Sequence, residues 1–463
     1  MGTIAKRKNT YQLLEDAYNG AGGFEDGSYL RQHPREQLDK YIQRKESAYY
    51  LNYTKPCLDA HVDPIFERNP NREWEGAAAN LWGTFIADTD FVGTPLNDLM
   101  KRAAQMAKLC GVSFIVVDKD NIGEAKETTL AELEQRGNLP YAIVIAPREV
   151  EEIKVDRFGR IIRFAYTEVD PGDNNKTNTR VLMCGGWELK SGTSNQGINL
   201  ASGSWALGCV PVVPIFSRET KPGEYFPTSE FLSIAKTNRH IYNACSWLAE
   251  ILSGQTFPLL IIPTTTGEDV EIGAGNGMAF SPESKHAPGY IAPPNGPAEA
   301  LANNIEASRQ ECYRMAGVVN VTGVATASSG VAKAWDFKHT NQMLANFSGV
   351  LQAAELRIAQ LFSKWVGVDL NLTVSYPTDF AYSDLEAELN NAVIAKDLTF
   401  GDEFNIEVFK RVLTNYFPEL PPDKFDALVE SYKKAQAEQD RDKQELKKNF
   451  VDPDGLEPNP GDE

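Results

Sequence analysis

The chain has 463 residues, of which 42% are hydrophobic and 24% charged, and its formal net charge is −18. These values fit a soluble globular protein of two or three domains and exclude a chain that is disordered throughout. So acidic a balance also argues against a protein that grips nucleic-acid phosphates over its whole surface, because such binding needs many lysine and arginine side chains.

Cysteine usage and hydropathy indicate the compartment. The six cysteines fall in separate elements and show no CxxC spacing: Cys57, Cys110, Cys184, Cys209, Cys245 and Cys312. This pattern predicts free thiols in a reducing compartment, with neither zinc nor disulfides. No run of about 18 apolar residues occurs, so we expect no membrane span. The stretch MGTIAKRKNTYQ has no apolar segment, so we expect no secretory signal.

The first part of the chain predicts an arm followed by a helix. Residues 1–40 are polar and glycine-rich, which indicates an arm. Residues 35–67 carry a helical pattern that Pro56 either kinks or divides in two. His61 lies among apolar residues and acids, which favours a hydrogen-bonded core histidine over a metal ligand or a base.

The next part predicts a mixed α and β region. Residues 91–110 read as an amphipathic helix and residues 111–117 as a buried strand. DKDNIG, residues 118–123, is similar to the start of a calcium loop but lacks the third ligand position and the closing glutamate. Residues 141–216 form short β-type runs between turn signals such as DPGDNN, which predicts antiparallel sheet.

Two helices then flank an insert. The stripe Ile234, Asn238, Ile241, Cys245, Leu248 and Leu252 predicts a helix over Ser229–Leu252. A second helix is predicted over Asn295–Met315, with Pro297 in its first turn and Gly317 as its stop. The insert 255–294 contains GAGNG, which follows a strand but precedes no helix, so a turn is favoured over a dinucleotide site.

A smooth loop and a long helix follow. Residues 318–331, VVNVTGVATASSGV, have no charge and only small and β-branched side chains, so they predict a flexible loop. The stripe from Leu344 to Trp365 then predicts a third helix, which Gly367 ends. DLNLTVSYP predicts a strand, residues 383–450 are mainly helical, and the proline-rich acidic residues 451–463 predict a tail without a core.

Three stretches in this order resemble the core of tailed-bacteriophage portal proteins: FPTSEFLSIAKTNRHIYNACSWL, FPLLIIP, and the block from SSGVAKAWDFKHTNQ to LFSKWVG. YLNYTKPCLDAHVDPIF is similar to the family's opening helix. In that family a stem helix, a clip domain, a second stem helix, a tunnel loop and a long helix follow one another. The resemblance implies an α+β portal fold for the chain apart from its two ends.

The resemblance, together with composition, divides the chain into an N-terminal arm (1–40), a wing of helices and antiparallel strands (41–227), a stem helix (228–253), a clip (254–295), a second stem helix (296–317), a tunnel loop (318–331), a long helix with a returning wing strand (332–382), a helical crown (383–450) and an acidic tail (451–463).

The function implied is a ring of identical subunits, dodecameric in the assembled family, at one capsid vertex of the virion. Double-stranded DNA passes through it. The implied partners are the major capsid and scaffold proteins, the terminase large subunit and a head-completion or tail adaptor, with assembly in the host cytoplasm. A channel that lets DNA slide agrees with the acidic charge, which an ordinary solubilising surface explains equally well.

The resemblance also implies DNA-facing residues. The tunnel-loop candidates are Asn320, Val321, Val324, Thr326, Ser328 and Ser329. Lys333, Lys338 and His339 start the next helix and are candidates for phosphate contacts, with solvated positions as the alternative. We expect Asn238, polar on an apolar stripe, to set the register between subunits or to line the channel.

No GxxxxGK[ST], HExxH or GxSxG motif occurs, and the five histidines lie in different elements. The sequence therefore predicts no catalytic residue, cofactor or metal, and the portal family leaves ATP hydrolysis to terminase. Two alternatives stay open: a cytosolic nucleotide-dependent enzyme that uses GAGNG, and another ring or adaptor protein of the virion.

Overall fold

A computed structural model describes residues 2–119, 139–170, 172–192, 197–256, 259–261, 289–291, 294–318, 330–380, 402–416 and 422–449. The chain divides into two compact units, Met1–Phe380 and Ala381–Glu463. Across the described ranges, no helix is long and apolar enough to cross a membrane.

The first unit mixes α-helices with antiparallel strands, as the sequence predicts. Its helices are α1 Gly2–Asn19, α2 Leu38–Ser47, α3 Thr54–Phe66, α4 Ala79–Ala87, α5 Leu96–Cys110, α6 Leu232–Thr256, α7 Asn295–Ala316 and α8 Gly330–Val366. Its strands are β1 Asn71–Glu75, β2 Val112–Lys119, β3 Pro140–Ile145, β4 Val150–Val155, β5 Ile161–Asp170, β6 Asp173–Met183, β7 Gly186–Ser191, β8 Ile198–Ser204, β9 Val212–Phe216, β10 Leu259–Ile261, β11 Gly289–Ile291 and β12 Asn371–Ser375.

Strand β2 lies between two layers of the first unit. It is the middle strand of a three-stranded sheet with the order β3-β2-β9. A separate five-stranded sheet has the order β4-β5-β6-β7-β8. Because successive side chains of a strand point to opposite faces, Ile115 and Val117 pack with α5 and α8, whereas Phe114 and Val116 pack with the five-stranded sheet. The predicted buried strand is confirmed, and both its faces are covered.

The prediction of an N-terminal arm is wrong for its first half. Residues 2–19 form α1, and Tyr11, Leu14 and Ala17 are buried in a core shared with α3, α6 and α7. The spacing of three residues places these side chains on one helical face. Ion pairs add to this packing, among them Lys8–Glu151 at 2.7 Å. The surrounding polar residues conceal this short stripe in the sequence.

The helical pattern over residues 35–67 is divided into two helices, which is one of the two predicted alternatives. Helix α2 ends at Ser47 and α3 begins at Thr54. Pro56 lies in the first turn of α3, where a missing amide donor is harmless. The break at 48–53 therefore precedes the proline rather than coinciding with it.

A buried ion pair joins the long helix α8 to the two-stranded sheet β1-β12. Arg72 on β1 donates from Nε to Glu355 Oε1 at 2.5 Å and from Nη2 to Oε2 at 3.0 Å. The Tyr376 hydroxyl, just after β12, donates to Glu355 Oε2 at 2.7 Å. Glu355 is fully buried. Burial, and next the Glu355 charge, raise the pKa of Tyr376 well above its ordinary value, so the phenol remains a donor.

The second unit contains two described helices, α9 Asp402–Tyr416 and α10 Pro422–Asn449. They contact each other through the stacked rings of Phe409 and Tyr432, whose centroids are 4.1 Å apart. The sequence predicts both helices. Residues 383–401, the start of the region predicted to be mainly helical, lie outside the described residues, as does the acidic tail.

We expect Glu355→Gln to lower the free energy of unfolding by about 3–5 kcal/mol, because it leaves the Arg72 charge buried without its counter-ion. Denaturant unfolding measures this. The control is Asp63→Asn, which breaks the exposed pair with Lys101 at 2.8 Å and should cost less than about 1 kcal/mol. Equal losses in the two variants would contradict a structural role for the buried pair.

Candidate functional site

Helices α6 and α7 form an antiparallel pair that is fixed in the core at one end only. The first half of α6 is buried, including Ile234, Asn238, Ile241, Tyr242 and Cys245. From Trp247 to Thr256 every α6 residue is half-buried or exposed, and Leu252 is 47% exposed. Only Cys312 and Ala316 of α7 are buried, both near its end. The outer halves of both helices therefore have an uncovered surface.

The outer end of this pair leads into strands β10 and β11. These two strands pair with each other, Leu259 opposite Ile291. The Gln255 side chain donates to the Pro294 carbonyl at 3.3 Å, which joins the end of α6 to the start of α7. A small β element thus sits at the tip of a helical pair. GAGNG, residues 273–277, lies outside the described residues.

Asn238 fixes the inner half of α6. Its side chain is completely buried. The backbone N–H groups of Tyr53 and Thr54 donate to Asn238 Oδ1 at 2.9 and 3.0 Å, and Asn238 Nδ2 donates to the Leu51 carbonyl at 2.7 Å. These contacts satisfy backbone groups that the break between α2 and α3 leaves unpaired. The predictions that Asn238 lines a channel or sets intersubunit register are therefore wrong, because both its amide oxygen and its amide nitrogen are hydrogen-bonded within the subunit.

His61 holds the end of α7. Its Nε2 lies 2.6 Å from the Ala316 carbonyl. Since a carbonyl only accepts, Nε2 carries the proton and donates. Burial is the main cause that lowers the pKa of His61 to about 4, so the ring is neutral near pH 7. The prediction of a hydrogen-bonded core histidine is confirmed.

The cysteines beside His61 are inert packing groups. Cys57 on α3 contacts the Cys312 carbonyl on α7, with its sulfur 3.9 Å from the oxygen. Burial raises the pKa of both thiols to about 12, so neither is a thiolate near neutral pH. All six cysteines are free. The described part of the chain contains no group of three or more His, Cys, Asp or Glu side chains arranged to hold a metal ion.

Helix α8 enters the core along its second half. It has 37 residues, which corresponds to a length of about 55 Å at a rise of 1.5 Å per residue. From Leu344 to Phe362 one stripe of it enters the core, and the Trp365 indole donates to the Val117 carbonyl at 2.8 Å. Lys338 and His339 are exposed.

The predicted DNA-facing residues are only partly described. The tunnel-loop candidates lie outside the described residues; these are Asn320, Val321, Val324, Thr326, Ser328 and Ser329. Lys333 lies in α8. The described Lys338 and His339 belong to the first three turns of α8. They come seven and eight residues after the predicted loop 318–331, and nothing in the described residues brings them to a common site with it.

A groove runs beside residues 339–350 of α8. It consists of two adjoining clefts of about 540 and 550 Å³ that share Glu230, His339 and Met343. Lys108 and Ser217 line one cleft, and His61 lines the other. We call this feature the α8 groove.

Lys108 is not among the site residues predicted from the sequence, although its position on α5 indicates a specific role. Lys108 follows Met100 and Ala104 at intervals of four residues, on the stripe of α5 that is buried in the core. A charged residue on an apolar stripe indicates a side chain with a specific partner or task. No comparable signal marks Ser217, which follows strand β9 in an ordinary polar stretch.

No protein-family model and no curated protein matches the chain. Three solved structures of gene transfer agent particles are similar to it. They are the neck of the native particle computed with C12 symmetry (11% identity, TM-score 0.42, 77% of this chain and 89% of the other), the neck of the empty particle computed with C6 symmetry (13%, 0.44, 79% and 90%) and the virion of the native particle (11%, 0.40, 90% and 98%). Identities and TM-scores this low carry no conclusion about what this chain does.

We expect Asn238→Leu to lower the free energy of unfolding by about 3 kcal/mol or more, because each buried backbone group left unpaired costs about 1–3 kcal/mol. Denaturant unfolding measures the loss. Asn304→Leu is the matched control, since Asn304 lies on α7 and makes an exposed 2.9 Å contact with His240. A loss from Asn238→Leu no larger than that from the control would contradict the anchoring role.

His61 should make the protein less stable in mild acid. Its folded pKa of about 4 lies below the unfolded value of 6.5, so the unfolded chain alone binds this proton between those two pH values. The stability present above pH 6.5 is lost as pH falls, by up to about 3 kcal/mol from this group. His61→Gln should flatten the pH dependence of the unfolding free energy in this window, and the exposed His33→Gln should not. Identical slopes for all three proteins would disprove this.

Proposed function

We propose that this chain is the subunit of a phage portal, a homo-oligomeric ring at one capsid vertex that conducts double-stranded DNA during packaging and ejection. The observation that carries the proposal is the α6–α7 pair, which is anchored in the core at one end and uncovered at the other. In a monomer, the outer halves of these two helices stay exposed to solvent. Neighbouring copies cover such helices when they pack side by side around an axis.

The outer half of α6 has the composition of a contact surface. It carries Trp247, Leu248, Ile251 and Leu252, of which Leu252 is 47% exposed. Apolar side chains gathered on an uncovered helix end are typical of an interface. A head-to-tail contact of this kind closes into a ring when its rotation divides a full turn.

The remaining elements take the roles that the portal resemblance suggests. The insert that contains β10 and β11 is the clip and binds first the terminase large subunit and later the head-completion or tail adaptor. The sheets and helices between residues 41 and 227 are the wing, and α9 and α10 belong to the crown. The major capsid and scaffold proteins are partners of the ring at the capsid vertex.

The loop 318–331 between α7 and α8 is the proposed tunnel loop. Its small uncharged side chains at Asn320, Val321, Val324, Thr326, Ser328 and Ser329 give weak contacts that do not depend on DNA sequence. Lys333 and Lys338 at the start of α8 contact phosphates, since a lysine is attracted to the backbone whatever the base. The ring itself is not an enzyme and needs no cofactor. No observation on the described residues favours the nucleotide-dependent enzyme.

Native mass spectrometry with negative-stain imaging tests the proposal. We expect a closed ring of about a dozen copies with a central hole, in line with closed cyclic symmetry. Leu252→Glu should prevent ring formation, because it puts a charge in the contact between outer stem halves. Val92→Glu, at a position 86% exposed between α4 and α5, is the control and should assemble normally.

Two results would contradict the proposal. One is a compact dimer or tetramer without a channel. The other is a chain that remains monomeric when it is produced together with its capsid and scaffold proteins.

A further inference from the structure

The α8 groove contains a buried cation that the described residues pair only in part. Lys108 is 3% exposed. Its Nζ donates to the Ser217 carbonyl at 3.3 Å and lies 4.5 Å from the centre of the Phe347 ring. The nearest carboxylate oxygen, Oε2 of Glu230, is 3.9 Å away, which is beyond hydrogen-bonding distance.

An ammonium group has three N–H donors, and the described residues supply one accepting oxygen within hydrogen-bonding distance of Lys108. A cation taken out of water destabilises the protein unless it is both paired and hydrogen-bonded. Glu230 meets this need only in part, because its side chain is 38% exposed and its nearest oxygen lies 3.9 Å from Nζ. The remaining donors of Lys108 therefore suit an anion that enters the groove.

The other groups of this cleft indicate which anion fits. The Ser217 hydroxyl is buried and has no hydrogen-bond partner in the described part of the protein, so it offers a donor beside Lys108. An ionised carboxylate only accepts hydrogen bonds and matches two such donors. Arg218, Glu219 and Glu230 line the same cleft, so that together with Lys108 its formal charges cancel. A single carboxylate adds one negative charge to this balance, whereas a phosphodiester backbone adds several, which the two glutamates oppose.

We propose that the α8 groove receives a carboxylate side chain from a second copy of this chain, with Lys108 and Ser217 as its ligands. This inference rests on the proposed ring. A head-to-tail ring presents the same groove and the same carboxylate at every contact, so each Lys108 has one partner. The chain supplies carboxylates in excess, with 64 Asp and Glu against 46 Lys and Arg.

Carbodiimide cross-linking tests the contact directly, because the reagent joins an amine to a carboxylate without a spacer. We mix copies grown in light and heavy nitrogen, assemble them, cross-link them and map the products by mass spectrometry. The expected product joins Lys108 of one copy to an Asp or Glu of the other, in mixed light and heavy pairs. A cross-link from Lys108 to Glu230 within one copy, with no mixed pair, would overturn the inference.

Variants separate this role from a purely structural one. Lys108→Met keeps the aliphatic length and removes the charge. We expect it to raise or preserve the melting temperature of the subunit, because a poorly paired buried charge is lost, and to reduce ring formation at least tenfold. Lys108→Arg should restore assembly in part. Lys101→Met, on the same helix but exposed, is the control and should assemble normally.

The outcomes distinguish this inference from the proposed function. If rings form and Lys108→Met assembles as well as the unaltered chain, only the inference fails. If no ring forms from the unaltered chain together with its capsid and scaffold proteins, the proposed function and the inference both fail.

Discussion

The hydrogen bonds of Asn238 are the constraint on which the projecting helices depend. One buried amide holds the backbone at the start of α3 and thereby fixes the inner half of α6. Helix α6 is continuous for 25 residues, about 37 Å at the rise of an α-helix. A small tilt of α6 at Asn238 would therefore displace its outer end, with β10 and β11, by several ångströms. The proposed ring requires that end in one place.

Polar groups on apolar helical stripes recur through the first unit, and each has a partner from a distant part of the chain. Asn238 binds the α2–α3 break, Glu355 binds Arg72, and His61 binds the end of α7. Apolar packing alone tolerates alternative alignments of helices, whereas a buried polar group is satisfied in one alignment only. Lys108 departs from this pattern, because the described residues give it only one hydrogen bond, to the Ser217 carbonyl.

The sequence predicts local elements well because the periodicity of apolar residues in a helix or strand is visible within a short stretch of chain. Helices α6, α7 and α8, strand β2 and the antiparallel region 141–216 all agree with the structure. The sequence does not reveal which element covers a stripe, so it suggests a channel or register position for Asn238, whose partners lie about 185 residues away. For the same reason it does not reveal the pair Arg72–Glu355 or the α8 groove, since each is assembled from distant segments. Strand β8 and helix α4 lack a strong periodic signal.

The pairing of β1 with β12 has a consequence for synthesis on the ribosome. These strands are about 300 residues apart, so at roughly 5–20 residues per second β1 spends about 15–60 seconds without its neighbour. An unpaired strand edge invites association with other chains. Strand β1 reads NREWE, and its arginine and two glutamates oppose such association. The same Arg72 that later pairs with Glu355 thus protects the nascent chain until its own β12 emerges.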